Sequence, residues 1–218
     1  MTAVFPLIAV FTLGALLYYG ERVDNRRVKW MLKPATSALF LLTALAAGPD
    51  TRYDRVLFVG LVLCLFGDVF LISSEKKWFL AGLAAFLTGH VAYIVAFNGL
   101  APVTSLNILP LAAIVLVSVS LFLYFRPHLG DMLISVIAYI TVITIMLCGA
   151  WAVFQANPDG TDPNFRYFVA IGAAAFYLSD ISVARDRFLK NVGFTNRLVG
   201  LPLYYLGQFL LALSIGLS

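Results

Sequence analysis

The chain has 218 residues, 61% of them hydrophobic and 12% charged, with a formal net charge of +4. An ordinary soluble domain carries about a quarter charged residues, so this composition excludes one. No polar stretch is long enough to form a second domain, and a single transmembrane domain over residues 1–218 is expected.

Apolar runs long enough to span a bilayer recur eight times along the chain. The first, residues 3–20, lacks the basic n-region and small-residue cleavage site of a secretory signal, so it reads as a retained membrane helix. The second, residues 34–48, is short, but Lys33 and Arg52 flank it with side chains that reach the interfaces. Lys33 precedes Pro34, which suits a first helical turn and predicts that helix two opens there. The third run, residues 56–73, contains Asp68, and the fourth, residues 78–97, contains His90 and Tyr93. Residues 106–125 carry no charge, and residues 132–155 include Tyr139. Residues 166–184 carry Ser179 and Asp180, and residues 198–217 carry Tyr204, Tyr205 and Gln208. Gly48-Pro49, Ala101-Pro102 and Asn157-Pro158-Asp159-Gly160 punctuate short connections. Runs this long in lipid must be helices, so the expected fold is an all-α polytopic bundle of eight transmembrane helices.

The basic residues predict its orientation. Arg22, Arg26, Arg27, Lys29, Lys33, Lys76, Lys77, Arg126, Arg185, Arg187, Lys190 and Arg197 fall on one side, and only Arg52, Arg55 and Arg166 on the other. The positive-inside rule then places both termini on the non-cytoplasmic side. Compact loops point to a bacterial inner membrane. The charge is a topology signal, and no nucleic-acid partner is expected.

Two carboxylic acids stand inside apolar runs, Asp68 in LVLCLFGDVFLIS and Asp180 in AAAFYLSDISVA. An acid held in hydrocarbon is costly, and its default reading is a working group facing a polar cavity. Both lie about five residues before the cytoplasmic ends of their runs, roughly 8 Å inside one boundary. Lys33 at a helix start is a plausible phosphate site, the alternative being a lysine that only anchors the helix. His90 and Gln208 lie near mid-membrane, where they either serve the reaction or hydrogen-bond helix to helix. Tyr93, Tyr139, Tyr204 and Tyr205 are candidates to line a polar chamber, whereas Tyr18, Tyr19 and Tyr53 suit interfacial belts. The other reading of each aspartate is a structural pair with a base such as Arg185. Gly82, Gly89, Gly149 and Gly172 suit close helix contacts. Cys64 and Cys148 read as buried hydrophobes. With two histidines and no Cys/His cluster, no metal site is expected, and no cofactor.

Lys33-Pro34, FGDVFL around Asp68, FLTGHVAYI around His90, FYLSD ending at Asp180 and YYLGQ ending at Gln208 follow one another through the eight runs. In this order and spacing the whole chain resembles the YhhN-like lysoplasmalogenases, small eight-helix membrane proteins. The resemblance implies hydrolysis of the vinyl-ether bond of lysoplasmalogens to a fatty aldehyde and a glycerophospho-base. It also implies that Asp68 and Asp180 are catalytic. Lys33, His90, Tyr139, Ser179, Tyr204 and Gln208 would bind substrate or support the pair. The partners would be a lysophospholipid, membrane lipid and water, at a site near the cytoplasmic leaflet.

Vinyl-ether hydrolysis is acid-catalysed: carbon takes a proton, and water attacks the resulting oxocarbenium ion. Two nearby carboxyls can divide the acid and base roles between them. Three other readings compete. An intramembrane aspartyl protease would carry GxGD where this chain has Leu65-Phe66-Gly67-Asp68. A proton-coupled transporter would use the same two aspartates but needs polar groups reaching both faces. A lipid-binding scaffold would bind lysolipids without turnover.

Overall fold

In the computed structural model, which describes residues 3–190 and 192–218, the apolar runs form eight long helices. α1 (Val4–Ala15) passes without a break into π-helical turns over Leu16–Arg22. There follow α2 (Arg26–Ala47), α3 (Arg52–Phe70), α4 (Lys76–Asn98) and α5 (Ile108–Phe125). α6 (Leu133–Ala156), α7 (Phe165–Phe188) and α8 (Phe194–Ser214) complete the chain. No strand occurs among the described residues. Seven of the helical segments are long and apolar enough to cross a membrane. α3 is set apart by charge, with Arg52, Asp54, Arg55 and Asp68 among its residues. The molecule is an integral, multi-pass, all-helical membrane protein.

Helix ends fall where local chemistry satisfies the free backbone groups. Asn25 caps α2 by accepting from the Arg27 and Val28 amides. Thr51 and Asp54 form a reciprocal capping box at the start of α3. Gly48 ends α2 in the left-handed region at φ 80°, and Asn157 ends α6 at φ 45°.

Two expectations change here. α2 starts at Arg26 rather than beside Pro34, because Asn25 supplies the cap and Arg26, Arg27 and Lys29 occupy the first turns. Pro34 is therefore interior and leaves the Trp30 carbonyl without its helical donor. Tyr53 is not in an aromatic belt but buried, its hydroxyl 2.6 Å from that of Ser214.

α7 packs most extensively on α8, and α3 on α4. Small residues let these backbones approach, as in other membrane bundles. A Cβ at Gly207 would stand 2.8 Å from the Gly172 carbonyl oxygen and 2.9 Å from the Phe176 nitrogen. Gly60 and Gly89 make a comparable crossing between α3 and α4. Gly82 is as tight against Leu71, whereas at Gly149 a Cβ would meet nothing nearer than 3.4 Å. Cys64 and Cys148 are both buried thiols. At one end of the bundle, Asp54 accepts from the Gly216 amide at 3.2 Å and the Ser218 hydroxyl at 3.1 Å, fastening the end of the chain to the start of α3. α5 packs mainly on α6 and buries Ser118 and Phe125. Its Leu109 and Leu116 face outward, as do Phe11 of α1 and Ile134 of α6.

Gly207→Val drives a side chain into backbone that cannot rotate away, and should cost about 1–3 kcal/mol. Gly14, which has nothing within 4 Å of its Cβ position, should tolerate alanine without loss. Thermal unfolding of the purified variants in one detergent compares the two.

Candidate active site: a cavity with two aspartates

α2, α3, α4, α6, α7 and α8 enclose a cavity of about 670 Å³ that reaches both membrane aspartates. Asp68 enters it from α3 and Asp180 from α7, with Lys33, Tyr139, Ser179 and Tyr204 in the same wall. The two acids do not sit at matching distances from their helix ends. α3 stops at Phe70, just past Asp68, whereas α7 continues two turns beyond Asp180 to Phe188. That extension supplies Ala184, Arg187 and Phe188 to the outer part of the cavity.

Asp68 is buried and surrounded by donors. The Lys33 ammonium stands 3.4 Å from Oδ1. The Ser37 hydroxyl donates to Oδ2 at 2.6 Å, and so does the Tyr204 hydroxyl. Lys33 and Ser37 are one turn apart on α2, so one helix face carries both. Tyr205, next along α8, donates to the Lys33 carbonyl at 3.2 Å. A directional hydrogen-bond chain continues inward. Tyr93 donates to Gln208 Oε1 at 2.8 Å, and Gln208 Nε2 donates to Tyr204 at 3.4 Å.

Asp180 has a sparser setting. The Tyr139 hydroxyl donates to its Oδ2 at 2.6 Å, and its side chain is 17% exposed against 2% for Asp68. His90 Nε2 stands 3.9 Å from the same oxygen, beyond hydrogen-bonding reach, and has no partner among the described residues. His90 Nδ1 lies 2.6 Å from the Phe86 carbonyl, which can only accept. In the neutral ring the Nδ1 atom therefore carries the proton, and Nε2 directs its lone pair toward Asp180.

The alternative reading, a structural pair between an aspartate and a base, holds in part at Asp68, whose base is Lys33 from α2; among the described residues neither acid pairs with Arg185. Because Pro34 is interior, Lys33 does not stand at a helix N-terminus, and the phosphate site expected from free amides there is not formed. His90 and Gln208 are buried behind the cavity wall rather than lining it. Ser179 spends its hydroxyl on the Phe176 carbonyl at 2.7 Å.

The sequence reading missed Ser37 and the charged rim. At the rim, Lys29 pairs with Glu21 at 3.3 Å and Asp24 at 2.7 Å. Arg197 pairs with Glu21 at 2.7 Å and Asp186 at 3.0 Å. The hydrogen bond from Lys29, with its charge, holds the exposed Asp24 carboxyl below its usual range. Arg26 and Arg187 border the same opening. Ser37 was legible in principle as the polar residue one turn from Lys33. Of the rim pairs, Glu21–Arg197 joins segments far apart in the chain and had no local signal, whereas the others lie across single turns between helices.

Removing the Lys33 cation strands a buried carboxylate, so Lys33→Met should destabilise the protein by about 3–5 kcal/mol. Adding Asp68→Asn to that variant should recover most of the loss, as read by unfolding temperature.

The YhhN family profile matches residues 28–215. The chain is 32% identical over 187 residues to the protein named lysoplasmalogenase TMEM86A of Bos taurus, covering 85% of this chain and 72% of that protein. It is 31% identical over 184 residues to the lysoplasmalogenase of Mycobacterium bovis, covering 80% of this chain and 66% of the relative. An Escherichia coli protein described as uncharacterized membrane protein YhhN is 24% identical over 187 residues, 86% of each chain. No solved structure gives a significant match. Sharing that family's sequence pattern from α2 to the end of α8, the chain belongs to the YhhN family.

Proposed function

We propose that this protein hydrolyses the vinyl-ether bond of lysoplasmalogens, releasing a fatty aldehyde and glycerophosphoethanolamine or glycerophosphocholine. The observation that carries the reading is one cavity reached by two carboxyls, with a charged rim outside and apolar helix faces around it. The names borne by its curated relatives support the choice of substrate.

In this reading the roles follow from what surrounds each acid. Asp68, with a cation and two hydroxyl donors, is set up as an acceptor-only carboxylate. Asp180, with one donor and a facing histidine lone pair, is the place for a proton. Asp180 gives that proton to the alkenyl carbon beyond the ether-linked one, leaving an oxocarbenium ion. Water attacks the ether-linked carbon and passes a proton to Asp68. The hemiacetal then collapses: its hydroxyl proton returns to Asp180, and Asp68 protonates the departing glycerol oxygen. Both acids end as they began, and the aldehyde and alcohol are free. Tyr139 orients Asp180, Tyr204 and Lys33 orient Asp68, and the phosphate lies toward Arg26, Lys29 and Arg187.

The rim is built from the turns joining α1 to α2, α3 to α4 and α7 to α8. These carry the basic residues that orient the chain, which supports eight crossings with both termini outside and a site near the cytoplasmic leaflet, in a bacterial inner membrane. A cavity gathered at one end favours an enzyme over a transporter.

Asp68→Asn and Asp180→Asn should each lower aldehyde release from a lysoplasmalogen by about 100-fold or more, while the loop variant Asp50→Asn keeps full rate. Full rate in both membrane variants would overturn the acid–base pair. Orientation has its own test. Ser74→Cys should resist a membrane-impermeant maleimide applied outside intact cells, and Asp50→Cys should react; Cys64 and Cys148, being buried, should contribute little background.

A further inference from the structure

A second hollow adjoins the first. It occupies about 80 Å³ between α6 and α7, beneath the last turn of α5. α6 contributes Val136, Tyr139, Ile140 and Ile143, a stripe at helical spacing. α7 contributes a facing stripe that contains Asp180 between Tyr177 and Ile181. Leu121, Phe122 and Phe125 of α5 close the outer side.

Apart from Asp180, the crevice wall offers hydrocarbon. Its two tyrosine hydroxyls are already engaged, Tyr139 with Asp180 at 2.6 Å and Tyr177 with Ser118 at 2.7 Å. Val136, Tyr139, Asp180, Ala184 and Phe188 border both hollows. These five residues form the wall that the two hollows share, and Asp180 stands in it. Asp68 borders the main cavity alone. The far side leads to α5, whose outward residues Leu116, Leu123 and Tyr124 are exposed.

The geometry points to the α5–α6–α7 crevice as the binding site for the single hydrocarbon chain of the substrate, with Asp180 at the junction between chain and headgroup. The inference rests on the hydrolase reading and deepens it by fixing which way round the lipid lies. The first methylenes fill the crevice, and the rest of the chain leaves under α5 into the bilayer. The glycerophospho end lies across the main cavity toward the charged rim. In that orientation the alkenyl carbon on the chain side, the one that must be protonated, faces Asp180. The ether-linked carbon, where water attacks, lies on the Asp68 side. A lipid lying the other way would put a charged phosphate in an apolar slot, which desolvation forbids.

A saturated alkyl-ether lysophosphoethanolamine with a diazirine three carbons from the ether reads binding alone, since it has no vinyl ether to cleave. Photolysis with the full chain in lipid nanodiscs should label residues 121–125, 136–143 and 177–188, and unlabelled alkyl lysolipid should compete the label away. Ile140→Trp and Ile181→Trp fill the crevice and should each lower that label roughly tenfold or more. Ile140 and Ile181 are both only partly buried and stand on different helices, so either variant tests the site if the other folds poorly. Competed label confined to α1, α2 and α8, label unchanged in both tryptophan variants, or no competed label at all would each overturn the crevice assignment. Aldehyde release by the native protein from an authentic vinyl-ether lipid is measured separately. Failure of that assay with correct labelling would sink the hydrolase reading and leave the chain site standing.

Discussion

A buried carboxylate needs compensation within reach of its oxygens, and at Asp68 that compensation comes from two neighbouring helices. Lys33 and Ser37 reach it from α2, and Tyr204 reaches it from α8. Lipid offers no substitute at that depth, so the three helices must keep their relative positions. The position of the cavity follows from this constraint, because α2, α3 and α8 form one side of it and α7, joined closely to α8, forms the other.

Two residues of the same type are thereby given different surroundings. One aspartate is enclosed by donors; the other meets a tyrosine, a histidine nitrogen and open space. Dividing labour between like groups by environment is a general device in acid–base chemistry. Here it comes from which helix each acid is borne on. α3 ends beside Asp68 and delivers it to the α2–α8 face, while α7 runs on past Asp180 and leaves it between a polar and an apolar hollow.

The helical fold was readable because lipid leaves few choices for a backbone, and hydrophobic runs announce themselves. Punctuation at Gly48 and Asn157 also matched the helix ends observed. The start of α2 was misplaced because Pro34 is a strong local signal, whereas the Asn25 cap is weak until its amide partners are seen. Asp68 and Asp180 stood out since charge in an apolar run is rare. Their partners stood out less: Tyr139 and Tyr204 were candidates only to line a polar chamber, Lys33 read as a phosphate site or an interfacial anchor, and the Glu21–Arg197 pair joins residues at opposite ends of the chain. Pairing across a bundle depends on helix rotation, which hydropathy does not encode. Tyr53 illustrates the same limit, since its ring at a helix start is equally suited to headgroups or to the buried Ser214 hydroxyl it meets.

The fastening of the chain's last residues to the start of α3 has a mechanical consequence. Asp54 holds Gly216 and Ser218, and Tyr53 holds Ser214, all at the end remote from the charged rim. α3 and α8 are thus tied at two levels, here through Asp54 and Tyr53 and deeper in the bundle through the Tyr204 hydroxyl on Asp68. Neither helix can turn about its own axis without breaking a buried polar contact at one level or the other.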